Sequence, residues 1–124
     1  MAEGGAPPRR VLVVDDDPDT RAMTADALGD RYDVATAATV SAALASAVAQ
    51  RPGAIVLDLM LAGESGWDLI RSFGDDAALR SVPIVVLSAT PATEPPAGIG
   101  EWAAYLTKPC PMARLREVLA ALFA

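Results

Sequence analysis

The stretch VLVVDDDPDT, residues 11 to 20, decides the fold because four aliphatic residues run directly into three aspartates. A continuous apolar run closed by polar residues is typical of a strand that is buried on both faces of a parallel sheet. The Asp-Pro step predicts a helix, with Asp17 as its cap and Pro18 in its first turn. Adjacent carboxylates near an apolar core repel one another, so this strand end requires a cation or hydrogen-bond donors nearby.

The unit of a strand followed by a helix recurs along the chain. Further strands are predicted at residues 33–37, 54–59 and 82–88 and within AAYLTKPC, residues 103–110. Helices are predicted at 17–30, at 41–50 with Ser41 opening it, at 67–76 and at 111–123. Met23, Met60 and Met112 are expected to fill the core or its margin. The alternation predicts an α/β fold, with a doubly wound five-stranded parallel sheet, right-handed crossovers and up to five helices.

Two regions depart from this pattern. Residues 1–8, MAEGGAPP, lack apolar content and are expected to be a disordered lead-in to one domain over 9–124. Between residues 89 and 102, where a fourth helix is due, the chain carries Pro91, Pro95, Pro96, Gly98 and Gly100. These residues oppose a helix, so a loop or a short, irregular fourth helix is expected there.

The composition argues against several functional classes. The formal net charge is −6 and the basic residues are scattered, which disfavours direct binding of nucleic acid. Cys110 is the only cysteine and the chain has no histidine, so neither an internal disulfide nor a zinc site is expected. No apolar run approaches the length of a membrane span, and the N-terminus lacks the apolar core of a signal peptide. A cytoplasmic protein without membrane insertion is therefore expected.

Polar residues lie at the ends of the predicted strands, where doubly wound sheets bind their ligands. Asp15 and Asp16 end the first strand, Asp58 the third and Ser88 the fourth, and Lys108 follows the fifth. Three acidic side chains offer the hard oxygen ligands that Mg²⁺ prefers, with Mn²⁺ as an alternative. Beside such a cation, Asp58 can act as a nucleophile toward phosphorus. Lys108 and Ser88 can bind the phosphoryl oxygens.

These residues carry a resemblance to the receiver domains of bacterial two-component response regulators, the CheY-like family. The acidic pair of the family resembles Asp15-Asp16, and its phosphoacceptor motif D-L-M-L-P-G-x-D-G resembles DLMLAGESG, residues 58–66. Its Ser/Thr-Ala pair resembles Ser88-Ala89, its switch aromatic resembles Tyr105, and its Lys-Pro pair resembles Lys108-Pro109. The resemblance covers nearly the whole chain and implies the flavodoxin-like and CheY-like version of the doubly wound sheet.

The resemblance also implies a mechanism. Asp58 would accept a phosphoryl group from the phosphohistidine of a histidine kinase or histidine phosphotransfer protein, with Mg²⁺ bound by the acidic pair, Asp58 and the backbone carbonyl of Met60. Ser88 and Tyr105 would then shift and change the affinity for a downstream protein, which the sequence does not identify. Such a protein is a signalling domain that catalyses only its own phosphorylation and dephosphorylation.

The sequence departs from the family at several positions. Ala62 stands where proline is usual and Ser65 where aspartate is usual. The separation of twenty residues between Ser88 and Lys108 is shorter than the family usually has. The face formed by the fourth helix, fifth strand and fifth helix is therefore altered, and the common receiver dimer through that face is not expected.

Two other functions compete with phosphoacceptor signalling. A haloacid-dehalogenase-type phosphohydrolase would use Asp15 as its nucleophile, but Asp19 stands where its motif requires threonine or valine and the 58–66 motif would have no role. A receiver-like binding module that works without phosphorylation is the other alternative. The chain is expected to be either a stand-alone receiver or a fragment of a longer regulator or hybrid kinase.

Overall fold

The protein folds around a five-stranded parallel sheet. The computed structural model describes residues 9–61, 63–89 and 102–123. The strands of the sheet are β1 (Arg10–Val14), β2 (Asp33–Ala37), β3 (Ala54–Leu57), β6 (Ile84–Ser88) and β7 (Ala104–Thr107). Their order is β2-β1-β3-β6-β7, with every neighbouring pair parallel. The predicted fold class is confirmed, and chain order reverses on either side of β1 as a doubly wound sheet requires.

Two shorter strands were not predicted. Met60–Leu61 (β4) and Glu64–Ser65 (β5) pair antiparallel in a small hairpin within the region that the sequence assigns to a loop. Gly63 has a φ of 70°, a left-handed conformation that glycine adopts without the steric cost of a side chain. The glycine therefore permits a tight return of the chain directly after β3.

Helices cover both faces of the sheet. The described residues include α1 (Pro18–Leu28), α2 (Val40–Ala49), α3 (Gly66–Asp75) and α4 (Met112–Phe123). Asp17 caps α1 as predicted, accepting a hydrogen bond from the backbone N–H of Asp19. The predicted start of α2 at Ser41 was wrong: Thr39 is its cap and accepts from the N–H of Ala42. Threonine is nearly as good a cap as serine, and it stands two residues earlier.

The strands divide their side chains between two cores. Leu12, Val14, Ile55 and Leu57 belong to one apolar cluster, which also includes buried residues of α2 and α3. Val11, Val13 and Val56 belong to the other, which includes residues of α1 and α4. Successive residues of a strand point to opposite faces, so a continuous apolar run serves both clusters.

Some predictions about side chains and loops had a different outcome. Met23 and Met60 were wrongly expected in or near the core: their exposed fractions are 57% and 64%. Methionine packs adaptably, and the sequence does not distinguish a buried position from an exposed one. The predicted disordered lead-in over 1–8 and most of the predicted irregular segment, residues 90–101, lie outside the described residues. Among the described helices, none is both long and apolar enough to cross a membrane.

Gly66 brings the start of α3 close to the loop after β3. A Cβ atom at this position would lie 2.7 Å from Cα of Leu59 and 2.9 Å from the carbonyl oxygen of Asp58. These are backbone atoms, so the loop that carries Asp58 would have to move to accommodate a side chain. Gly74, near the end of the same helix, has no atom within 4 Å of such a Cβ.

We therefore expect Gly66→Ala to lower the free energy of unfolding by about 1–3 kcal/mol, the usual cost of overpacking. Gly74→Ala is the matched control and should raise that free energy by about 0.5–1 kcal/mol. Urea denaturation followed by far-UV circular dichroism measures both. Equal stabilities for the two variants would contradict the close packing at Gly66.

Candidate phosphoryl-transfer site

The functional candidates lie at the carboxyl ends of the central strands. Hydrogen bonds between neighbouring strands continue beyond the strands themselves: the Asp58 N–H donates to Val14 O at 3.0 Å, and the Lys108 N–H donates to Ser88 O at 2.8 Å. These bonds hold the β3 end beside the β1 end and the β7 end beside the β6 end. The sheet thus gathers residues that are far apart in the chain at one edge, beside the reversal of strand order.

Three carboxylates form a compact cluster at this edge. Asp15, Asp16 and Asp58 each offer an oxygen atom, and these oxygens lie within 4.8 Å of one another. Asp15 is only 5% exposed, so its charge has little water to solvate it. The repulsion expected from the sequence is present, and the surrounding groups must offset it.

Lys108 supplies the offsetting charge within the protein. Its Nζ lies 3.2 Å from Oδ2 of Asp58 and 3.4 Å from Oδ2 of Asp15, while its side chain remains 26% exposed. Burial alone would lower the pKa of Lys108, but the attraction of Asp58 and Asp15 outweighs it and raises the pKa above the usual value. The ammonium group therefore stays charged at neutral pH and links two of the three acids.

Backbone N–H groups fix two of the carboxylates. The N–H of Met60 donates to Oδ1 of Asp58 at 2.9 Å, so Lys108 on Oδ2 and Met60 on Oδ1 hold this carboxylate from both sides. The N–H of Asp17 donates to Oδ1 of Asp15 at 2.9 Å. Each bond joins a carboxylate to the backbone N–H two residues further along the chain. The orientation of each acid is therefore fixed in part by its own loop.

Asp17 is not part of the cluster, as its prediction as a helix cap requires. Its carboxylate accepts from the hydroxyl of Thr20 at 2.6 Å and from the N–H of Asp19 at 3.2 Å. The Thr20 bond is the main reason why the pKa of Asp17 lies below its ordinary value. Of the three consecutive aspartates, two belong to the cluster and the third caps α1.

Ser88 and Tyr105 lie on the neighbouring strands. Ser88 is the last residue of β6, fully buried and paired with Thr107 in the sheet. Tyr105 is in β7, where its ring lies 6.0 Å from that of Trp102, and Trp102 lies 5.4 Å from Trp67 at the start of α3. The three rings pack against the core cluster on the α2 and α3 face.

The donor set fits a hard divalent cation. Its ligands are carboxylate oxygens, and neither histidine nor cysteine is in the cluster, a composition that suits Mg²⁺ or Mn²⁺ rather than zinc. The backbone of Met60 is held beside the cluster through its bond to Asp58. Its carbonyl as a ligand, like the metal-binding role of each aspartate, stays a prediction.

The comparison with protein families settles what kind of domain this is. The model of the response regulator receiver domain matches residues 11–120, nearly the full length. The chain belongs to the response regulator receiver domain family. The resemblance identified from the sequence is thereby confirmed, and with it a place for the domain in two-component signalling.

Individual relatives support the assignment of this receiver domain. It is 37% identical over 81 residues to the response regulator PleD of Caulobacter vibrioides, covering 64% of this chain and 18% of PleD. It is 42% identical over 82 residues to the DNA-binding response regulator MtrA of Mycolicibacterium smegmatis, covering 65% of this chain and 35% of MtrA. The matched region is thus a minor part of both relatives.

A solved structure matches over almost the whole receiver domain. The chemotaxis response regulator CheY4 of Vibrio cholerae superimposes with a TM-score of 0.84 at 26% identity. The match covers 94% of this chain and 99% of the CheY4 chain. The sheet order and the placement of the helices therefore agree with those of a known receiver.

Sequence reasoning missed two residues that support the site of this receiver domain. Arg21 donates from Nη1 to the backbone oxygen of Asp15 at 2.8 Å. Glu64, in the hairpin after Asp58, accepts from the N–H of Val40 at 3.0 Å and so completes the start of α2. The bond between Glu64 and Val40 joins segments that are distant in the chain, so the sequence gives no sign of it. Arg21 lies in the first turns of a predicted helix, and this position alone places it near the β1 end.

We expect Mg²⁺ to stabilise this receiver domain, because a cation that binds only the folded state shifts the unfolding equilibrium. At a concentration about tenfold above its dissociation constant the gain is about 1.4 kcal/mol. Asp16→Asn should lose most of this gain, yet in EDTA it should be no less stable than the wild type because one repelling charge is removed. Thermal unfolding with and without Mg²⁺ measures both effects.

Asp26→Asn is the matched control, since Asp26 is an exposed aspartate of α1 outside the cluster. It should keep the full response to Mg²⁺. A response that is equally weak in both variants would mean that the cation acts through net charge alone rather than through the cluster.

Proposed function

We propose that Asp58 is the phosphoacceptor of this receiver domain and that its phosphorylation controls binding to a partner protein. The observation that supports this assignment most directly is the setting of its carboxylate. Lys108 and the Met60 N–H hold its two oxygens, and two further carboxylates lie beside it. An anion held beside both a cation-binding cluster and a lysine is suited to attack a phosphorus centre and to retain the product.

The transfer follows from this arrangement. A carboxylate oxygen of Asp58 forms a bond to phosphorus while the bond from phosphorus to the histidine nitrogen of the donor breaks. The donor imidazole leaves with the electron pair of that bond and takes up a proton from solvent. Asp58 becomes an acyl phosphate, and its own negative charge is replaced by that of the phosphoryl group. The donor is a histidine kinase or a histidine phosphotransfer protein.

Asp15, Asp16 and Asp58 with the Met60 carbonyl would hold Mg²⁺, or Mn²⁺ in its place. When bound, the cation would neutralise charge on the phosphoryl oxygens. Lys108 contributes a second positive charge: it already contacts Asp58, and a phosphoryl group on that residue would replace the carboxylate as its partner. Water later attacks the same phosphorus atom and releases inorganic phosphate, which regenerates the carboxylate.

Ser88 and Tyr105 would transmit the change. Ser88 ends the strand next to β3, and its hydroxyl would bind a phosphoryl oxygen after a small inward movement. Tyr105, on the neighbouring strand, would follow into the space that is released and alter the surface seen by a partner. The downstream protein is unidentified, and a cytoplasmic location stays a prediction of the sequence.

The alternatives differ in their support. The match to the receiver family leaves no ground for a haloacid-dehalogenase-type hydrolase with Asp15 as nucleophile. The module that works without phosphorylation predicts no covalent change, and the following experiment distinguishes it from a phosphoacceptor.

Incubation with acetyl phosphate and Mg²⁺ should add about 80 Da to the intact mass, the mass of one phosphoryl group. Asp58→Asn should show no addition, because an amide is not a nucleophile of comparable strength. Asp68→Asn is the matched control, since Asp68 is an exposed aspartate of α3 that pairs only with Arg71 among the described contacts. It should be modified like the wild type.

An unmodified wild-type protein, in the presence of Mg²⁺ and excess donor, would contradict the proposal and favour the phosphorylation-independent module. Modification that persists in Asp58→Asn would instead show that another residue accepts the phosphoryl group. Intact-mass spectrometry separates these results within one experiment.

Beryllofluoride, a mimic of the phosphoryl group, should change the tryptophan fluorescence, because Trp102 contacts the ring of Tyr105. Trp102→Phe should lose most of the change. The ring of Trp67 contacts that of Trp102, and no contact between Trp67 and Tyr105 is described. Trp67→Phe should therefore retain the change. A response carried by Trp67 alone would contradict a movement of Tyr105. Emission spectra with and without the mimic are sufficient.

A further inference from the structure

Arg21 contacts the backbone at the point where the chain leaves the sheet. The Asp15 N–H makes the last bond from β1 to β2, donating to Ala37 O at 3.1 Å, and Val14 O accepts from the Asp58 N–H on the other side. The next carbonyl, that of Asp15, lies beyond both strand pairings. Arg21 reaches back from α1 and donates Nη1 to this oxygen at 2.8 Å, in a partly buried position.

This carbonyl belongs to the peptide group that joins Asp15 to Asp16. Its direction therefore sets the direction in which the backbone of Asp16 continues. On the other side of Asp16, the N–H of Asp17 is held by Oδ1 of Asp15 at 2.9 Å. Asp16 thus lies between two anchored points, and one of them depends on a residue outside the acidic cluster.

We propose that Arg21 is a positioning residue for cation binding. Its guanidinium holds the Asp15-Asp16 peptide so that both carboxylates face the position of one cation. The inference depends on the proposed function only in requiring that a divalent cation binds at the cluster. It makes no demand on the identity of the kinase or of the target.

Arginine suits this role better than a flexible cation. Its N–H groups are set in a rigid plane, so one bond to a carbonyl also restricts the rotation of the group. The alternative is that Arg21 only stabilises the β1-α1 turn. A loss of stability alone would lower the fraction of folded molecules but leave the cation affinity of the folded molecules unchanged, and this difference can be tested.

The test compares variants of the full chain that keep or remove the donor. Arg21→Met retains most of the aliphatic stem and removes every N–H, while Arg21→Lys restores a donor without the plane. Arg71→Met is the matched control, because Arg71 is on α3 and pairs with Asp68. Mn²⁺ binding is measured by electron paramagnetic resonance at a temperature where urea titration shows each variant to be folded.

We expect Arg21→Met to raise the dissociation constant for Mn²⁺ roughly tenfold, as removal of groups that orient metal ligands does. Arg21→Lys should fall between this variant and the wild type, and Arg71→Met should bind within about twofold of the wild type.

Wild-type affinity in Arg21→Met, or an equal loss in Arg71→Met, would overturn the positioning role and leave the proposed function intact. A wild-type protein that binds no Mn²⁺ but still gains a phosphoryl group would overturn the positioning role as well. Failure of the proposed function has a different signature, namely the absence of a phosphoryl adduct on Asp58. If Arg21→Met does not fold, the comparison of Arg21→Lys with the wild type decides, and equal affinities would overturn the role.

Discussion

The charge balance at the carboxyl edge of the sheet is the constraint on which the rest of the structure depends. Three carboxylates share a small volume beside two apolar cores, and the one lysine of the chain links two of them. The described protein groups leave the cluster net negative. A bound cation would offset the negative charge of the cluster and also the charge that a phosphoryl group adds. The remaining elements serve to hold these few atoms in place.

The sheet and the function class could be predicted from the sequence for a specific reason. The apolar runs at 11–14, 54–57 and 84–87 are continuous, and each is followed by a residue with polar chemistry. A strand buried on both faces shows no alternation of apolar and polar residues. The polar residue that ends the apolar run is therefore the position that indicates the functional site. Asp15 and Asp58 were located in this way, and Lys108 by its place after the fifth predicted strand; the charged atoms of the three meet. Their chemical roles rest on the experiments above.

The parts that the sequence did not predict depend on contacts between distant segments or on choices of nearly equal energy. Thr39 and Ser41 are both competent caps, and only the local backbone decides between them. Met60 has an exposed side chain although its backbone N–H binds Asp58, and the sequence does not distinguish such a position from a buried one. Arg21 acts through a carbonyl oxygen, and every residue has one. Its place in a predicted helix puts it near the β1 end, but no pattern of side chains indicates which backbone oxygen it binds.

The hairpin after Asp58 makes hydrogen bonds from both of its strands, one to the site and one to α2. Met60, on its first strand, orients the carboxylate of Asp58, and Glu64, on its second strand, completes the start of α2. Successive residues of a strand point to opposite sides, so one added residue would turn Glu64 away from the helix while Met60 kept its place. Most surface turns tolerate insertions and deletions. Here the number of residues between Asp58 and Glu64 is itself a structural requirement, and changes of length should be far less tolerated in this turn than changes of side chain.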